Sequence, residues 1–158
     1  MYKSILVPLD GSFRAEKALD EAATLVQRGV GVLTVIRVVP TIEEMYETAQ
    51  PNPLDTAEQT QDSLARAAYD EHYANARQYL RLITHSVEDC GFRVESRVAE
   101  GDPAAAIIEA AEDVEADVVV LTPRGKSACS TPHTDGVFGS VSDEVLRRAH
   151  LPVLVVKE

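Results

Sequence analysis

Short apolar runs alternate along the chain with longer stretches in which apolar residues recur every three or four positions. Ser4 to Leu9 (SILVPL), Val32 to Val39 (VLTVIRVV) and Asp117 to Leu121 (DVVVL) are of strand length, nearly continuous and rich in β-branched residues, as strands buried on both faces are. Val153 to Val156 closes the chain as a short apolar strand, an exposed edge in a monomer. Phe92 to Ala99 (FRVESRVA) alternates apolar with polar residues, which predicts a strand nearer a sheet edge. Phe13 to Arg28 spaces Ala15, Ala18, Leu19, Ala22, Leu25 and Val26 as a helix whose Ala-rich face suits a sheet, with Gly29 as its stop. Ala104 to Glu112 reads as a helix opened by Asp102 at the cap and Pro103 at the first helical position. Ser140 to Ala149 reads as the last helix, with Arg147 and Arg148 near its negative end.

The longest periodic stretch starts at a capping-box pattern, Asp55-Thr56-Ala57-Glu58. It continues through Leu64, Ala68, Ala76, Leu80, Ile83 and Val87 to Cys90-Gly91. A helix of ~30 residues spans roughly 45 Å and a typical strand only ~20 Å. Its first half is therefore expected to overhang the sheet or bend, offering a contact for a partner subunit. Thr41 to Pro53 reads as a loop or flap.

The order β-α-β-α-β-α-β-α-β predicts an α/β fold over residues 1–158. A parallel five-stranded sheet carries helices on both faces, a three-layer sandwich with right-handed crossovers. Ligands of such sheets sit beyond the carboxyl ends of the strands, where the strand order switches. Val7 to Gly11, Val38 to Pro40 and the loop after Leu121 can meet there.

The composition narrows the function. With 26 Asp and Glu against 15 Lys and Arg, the net charge is −11, which argues against a nucleic-acid partner. No apolar stretch approaches the ~20 residues of a membrane span, and the first residues do not read as a signal peptide. Cys90 and Cys129 lack metal-ligand or redox-motif spacing. A reduced, cytoplasmic protein is expected.

The most informative stretch runs from Thr122 to Val141 (TPRGKSACSTPHTDGVFGSV). A strand that empties into a Gly/Ser/Thr loop, which then opens a helix, presents backbone N–H groups and the positive end of a helix dipole to an anion. Arg124 and Lys126 flank Gly125 and either neutralise phosphates or sit on a solvated loop. Asp10 either contacts a nucleotide or a bound Mg²⁺, or caps the helix after it. Gly139-Ser140 is either a phosphate cradle or an ordinary helix start.

ILVPLDGS, VAEGDPAAAIIEAA, DVVVLTPRG and FGSVSDEVLRRAHLPVLVV, taken in this order and spacing, resemble the universal stress protein family in its single-domain form. The resemblance implies strand order 3-2-1-4-5 and an adenine nucleotide alpha hydrolase-like architecture. The family's nucleotide-binding branch carries G-x-x-G, nine residues, then G-(S/T). Here Thr122 stands at the first glycine, Gly125 at the second and Gly139-Ser140 at the closing pair. Residues 126–138 make the spacer thirteen positions long, four more than nine, and the extra four fall around Ala128 to Gly136. A β-branched Thr at position 122 resists the positive φ and close backbone approach that Gly permits.

Carried over residue by residue, the resemblance places Val7, Pro8, Leu9 and Asp10 beside the nucleotide and Val38 along the adenine. It places Gly125 at ribose and phosphate, and Gly139, Ser140 and Val141 around the phosphates. Thr122 falls at the altered position. The implied ligand is ATP or a related adenine nucleotide, with Mg²⁺. The implied assembly is a homodimer through the C-terminal strand, with a further protein partner reading its state.

Neither G-x-x-x-x-G-K-(S/T), a dinucleotide fingerprint, G-x-S-x-G nor SGGxDS occurs, and no nucleophile–base–orienter set is evident. At most slow ATP hydrolysis is expected. Two rival readings stay open. In one, the nucleotide site is lost and the dimer acts through protein contacts. In the other, Cys129 and His133 serve a small hydrolase or redox site. Tyr69, Tyr73 and Tyr79 read as packing or dimer contacts.

Overall fold

A computed structural model describes residues 1–49, 61–125 and 138–157. The strands are β1 (Ser4–Pro8), β2 (Val32–Val39), β3 (Arg93–Glu100), β4 (Val118–Leu121) and β5 (Val153–Val155). The helices are α1 (Phe13–Leu25), α2 (Ile42–Thr48), α3 (Gln61–Asp89), α4 (Pro103–Asp113) and α5 (Ser140–Arg148). All strand pairs are parallel, in the order β3-β2-β1-β4-β5, the order the family resemblance implies.

Strand residues alternate between two cores, following the two-residue period of a pleated sheet. Ile5, Val7, Leu33, Val35, Val118 and Val120 pack on one face with α1 and Leu80 of α3. Leu6, Ile36, Val119 and Leu121 pack on the other with Ile107 of α4 and Val145 of α5. The central strands β1 and β4 are therefore apolar on both faces. β3, at one edge, keeps Arg93, Glu95, Ser96 and Glu100 exposed.

Local chemistry sets the helix ends. Ser12 caps α1, its Oγ accepting from the Ala15 N–H at 3.2 Å. Asp102 caps α4, accepting from the Ala105 N–H at 2.9 Å. α1 stops at Leu25, three residues before the predicted end at Arg28. Val26 turns extended because the Tyr2 N–H donates to Leu25 O at 3.0 Å and the Gln27 N–H to Tyr2 O at 2.8 Å. Pairing with the start of the chain replaces the last helical turn.

The expectation of a loop from Thr41 onward is overturned. Residues Ile42–Thr48 form α2, opened by a complete capping box. The Glu44 N–H donates to Thr41 Oγ1 at 3.2 Å, and the Thr41 N–H donates to Glu44 Oε2 at 2.8 Å. The predicted capping box at Asp55–Glu58 lies outside the described residues. α3 is one helix of 29 residues. Its first half, expected to overhang the sheet, is not bare, because α2 packs against α3. Gln61 Nε2 donates to Tyr46 O at 2.8 Å, and Ala65 is fully buried. Tyr69 and Tyr73 stack on α3, and the Tyr69 hydroxyl donates to Glu100 on β3.

Asp117 ties the start of the chain to the foot of β4. Its Oδ2 accepts from the backbone N–H groups of Lys3 at 2.7 Å and Ser4 at 2.9 Å. These two bonds favour the charged carboxylate and hold its pKa below the ordinary aspartate value. A depressed folded-state pKa adds stability above the unfolded-state pKa, ~3.9, and that stability fades as pH falls through the folded value. Asp117→Asn should therefore flatten the acid limb of stability below about pH 5. Denaturant titrations at several pH values check this; parallel acid limbs for the two proteins would contradict it.

Candidate functional site

The carboxyl ends of β1, β2 and β4 meet where the strand order switches, since the chain leaves the β3 edge and re-enters the sheet beside β1 as β4. Val7 is buried in β1. Pro8 ends that strand without breaking the ladder, which the Leu9 N–H continues by donating to Ile36 O at 2.8 Å. Asp10 and Gly11 then form the turn into α1. The Ser12 N–H donates to Asp10 Oδ1 at 2.9 Å. Asp10 thus shapes the turn, and Ser12 rather than Asp10 caps the helix.

Gly125 lies against this turn. A Cβ at position 125 would fall closer than 3.0 Å to Asp10 Oδ2. Only a residue without a side chain lets the loop after β4 approach the Asp10 carboxylate so closely. The two residues are 115 positions apart in sequence and adjacent in space.

Thr122, at the altered glycine position, is buried. Its hydroxyl donates to Arg124 O at 3.2 Å, and its carbonyl accepts from the buried Ser142 Oγ at 2.9 Å. The side chain is spent on its own loop. Pro123 brings no N–H, but its carbonyl accepts from the Gly139 N–H at 2.6 Å. These bonds clamp the loop after β4 onto the start of α5. Gly139 is the N-cap of α5 and makes no side-chain cap bond. The first-turn N–H groups of Ser140, Val141 and Ser142 have no partner one turn back in the helix, and they lie at the positive end of its dipole.

Val38, half-buried on β2, lines an open groove of about 470 Å³ with Pro40, Glu44, Met45, Thr48, Gly101 and Pro103. This is within the range of small-molecule sites. Val7, Pro8, Leu9, Asp10, Thr122, Gly125, Gly139, Ser140 and Val141 belong to the neighbouring cluster of strand ends and loops. Lys126, Cys129 and His133 lie outside the described residues. Among the described residues, no three His, Cys, Asp or Glu side chains group as a metal site.

Two contributions escaped sequence reasoning. α2 walls the groove beside Val38, and its signal was the Thr41-x-x-Glu44 box. Arg37 is a lone charge in the apolar β2 run and sits directly behind the Asp10–Gly11 turn. Its guanidinium lies 5.1 Å from the centroid of the Tyr79 ring, and a Cβ at Gly11 would meet Arg37 Nη1 at 2.7 Å. The Tyr79 hydroxyl donates to Glu16 Oε1 at 3.0 Å. Burial first, and then this bond, push its pKa well above the ordinary tyrosine value. Tyr79 packs against the core on the α1 side of the sheet.

The cluster has the parts a nucleotide needs: a carboxylate that can face a sugar or a hydrated cation, a glycine cradle that a Cβ would fill, and a glycine-capped helix start. Mg²⁺ is commonly held by one or two carboxylates together with substrate phosphates, and Asp10 is the carboxylate that would hold it here.

Comparison with known proteins agrees with this architecture. The sequence model of the universal stress protein family matches residues 1–157. A universal stress protein of Synechocystis is 29% identical over 156 residues, covering 99% of this chain and 98% of that protein. The solved structure of protein MJ0577, from Methanocaldococcus jannaschii, superposes with a TM-score of 0.80 at 25% identity, covering 100% of this chain and 97% of that one. A universal stress protein in complex with cAMP superposes with a TM-score of 0.63 at 25% identity, covering 98% and 97%. The chain belongs to the universal stress protein family.

Proposed function

We propose that this protein binds ATP or a related adenine nucleotide at the strand ends of β1, β2 and β4. In this reading it signals through its bound or free state and hydrolyses the nucleotide slowly or not at all. The observation that carries the reading is the approach of Gly125 to the Asp10 carboxylate beside the glycine-capped α5. The structural relative solved with cAMP supports an adenine ligand. The base would lie along Val38 in the groove walled by α2, the ribose by Asp10 and Gly125, and the phosphates at Gly139, Ser140 and Val141.

Thermal denaturation with a panel of nucleotides tests the proposal. A ligand at 100 times its dissociation constant adds ~2.7 kcal/mol, which for a chain of this size raises Tm by roughly 5–10 °C. Adenine nucleotides should produce that rise and guanine nucleotides a smaller one. Equal melting with and without every nucleotide would exclude the proposal and leave the interaction-only reading.

One observation favours a protein-contact role alongside. The two sheet edges differ: β3 carries charge, whereas β5 reads VLV, with Leu154 37% exposed. Uncovered apolar edges invite pairing. We place a two-fold homodimer interface there, from which a further protein partner would read the nucleotide state. Light scattering should give twice the chain mass, and Leu154→Asp should give the single mass. A wild-type monomer at micromolar concentration would contradict the interface.

A further inference from the structure

We propose that Arg37 is a positioning residue: it holds the Asp10–Gly11 turn in the one conformation in which Asp10 meets Gly125, and so sets nucleotide affinity without touching the nucleotide. The second half of this statement rests on the nucleotide reading above.

Three observations converge on Arg37. Its guanidinium lies close along Gly11, since a Cβ there would stand 2.7, 3.2 and 3.3 Å from Nη1, Cζ and Nη2. Gly11 has φ +80°, a left-handed conformation that glycine adopts without strain. The absent side chain thus serves both the backbone angle and the close approach of the guanidinium. On its other side, the guanidinium rests on the Tyr79 ring, and Tyr79 is fixed by its bond to Glu16. A planar cation between a glycine and an aromatic face is a contact that arginine makes and the point charge of lysine does not.

The consequence follows along the chain. With α3 behind it through Tyr79, Arg37 prevents Gly11 from retreating into the space beneath it. Asp10 is the residue immediately before. One carboxylate oxygen is tied to the Ser12 N–H and the other faces Gly125. A turn free to rock would move both oxygens. Arg37 lies on the α1 and α3 side of β2, whereas Val38, the next residue, lines the groove on the opposite face. Adjacent positions on one strand therefore serve one site, the first by support and the second by contact.

The test has two readouts. In the ligand-free protein, Arg37→Met should speed amide exchange of Ser12 by roughly tenfold, since that N–H depends on a fixed Asp10. Unchanged exchange overturns the proposal whether or not any nucleotide binds. The second readout is a double-variant cycle on the ATP dissociation constant. Arg37→Met should weaken binding roughly tenfold alone, but add nothing once Asp10 is alanine, as expected of residues acting through one contact. Arg37→Lys should not restore affinity. Effects that multiply in the double variant would show a merely structural role and overturn the proposal. If exchange quickens but the wild-type protein binds no nucleotide, the nucleotide reading falls and the turn-holding role stands.

Discussion

Gly125→Ala is expected to weaken adenine-nucleotide binding by ~10- to 100-fold, the loss that goes with a misplaced hydrogen bond to a charged group, while the protein stays folded. The new Cβ would lie closer than 3.0 Å to Asp10 Oδ2. The carboxylate must yield, but its other oxygen is bonded to the Ser12 N–H at 2.9 Å. Rotating the side chain therefore gives up either the turn or the ligand-facing geometry. Gly125 does not have positive φ, so alanine brings no backbone strain, and the cost to stability should stay within ~1 kcal/mol. Calorimetric titration beside a denaturation curve separates the two effects. Wild-type affinity in the variant would mean that Asp10 and Gly125 do not meet the ligand together.

The second large effect falls on the fold. Leu80→Ala should cost ~2–5 kcal/mol, the range for emptying a leucine site in a packed core. Leu80 is 1% exposed and shares its core with Val7, Val35 and the α1 alanines. Those alanines are too short to fill the space a lost isobutyl group leaves. Tm should fall by roughly 5–15 °C. Two positions along the same helix, Leu82 is 65% exposed, and Leu82→Ala should stay within about 0.5 kcal/mol. Similar losses at both positions would contradict the assignment of the buried face of α3.

The fold was legible because its signals are local and periodic. Near-continuous runs mark β1, β2 and β4 as central, and the alternation FRVESRVA marks β3 as an edge. Asp102-Pro103 fixes the start of α4 to the residue. Where tertiary bonds compete with a local pattern, the pattern loses: Val26 leaves the helix to let Gln27 bond Tyr2. α2 was hidden for the opposite reason. Ile42, Met45, Tyr46 and Ala49 do keep helical spacing, and Thr41-x-x-Glu44 is a capping box. However, none of its residues is buried and Pro51 and Pro53 follow closely, so the segment resembles a loop in composition.

The candidate site was legible in its residue types and not in its pairings. Asp10, Gly125 and Gly139 stand out from the chain, but no local pattern places Gly125 against Asp10 or ties the Gly139 N–H to Pro123 O. Thr122 reads as a lost glycine, yet the structure spends its hydroxyl on Arg124 O and uses its carbonyl to hold Ser142. The threonine thus adds a bond within its own loop, while the tie to α5 runs through a backbone carbonyl that a glycine would equally present. Arg37 could not be assigned at all without the fold, because its two neighbours are Gly11, in a turn, and Tyr79, forty-two positions further along the chain.

Calorimetric titration of the purified protein with ATP in the presence of Mg²⁺ tests nucleotide binding most directly. A single saturable site per chain is expected, with a dissociation constant below ~1 mM, which corresponds to at least about 4 kcal/mol of binding free energy. No saturable heat up to several times that concentration, at more than one temperature, would contradict it.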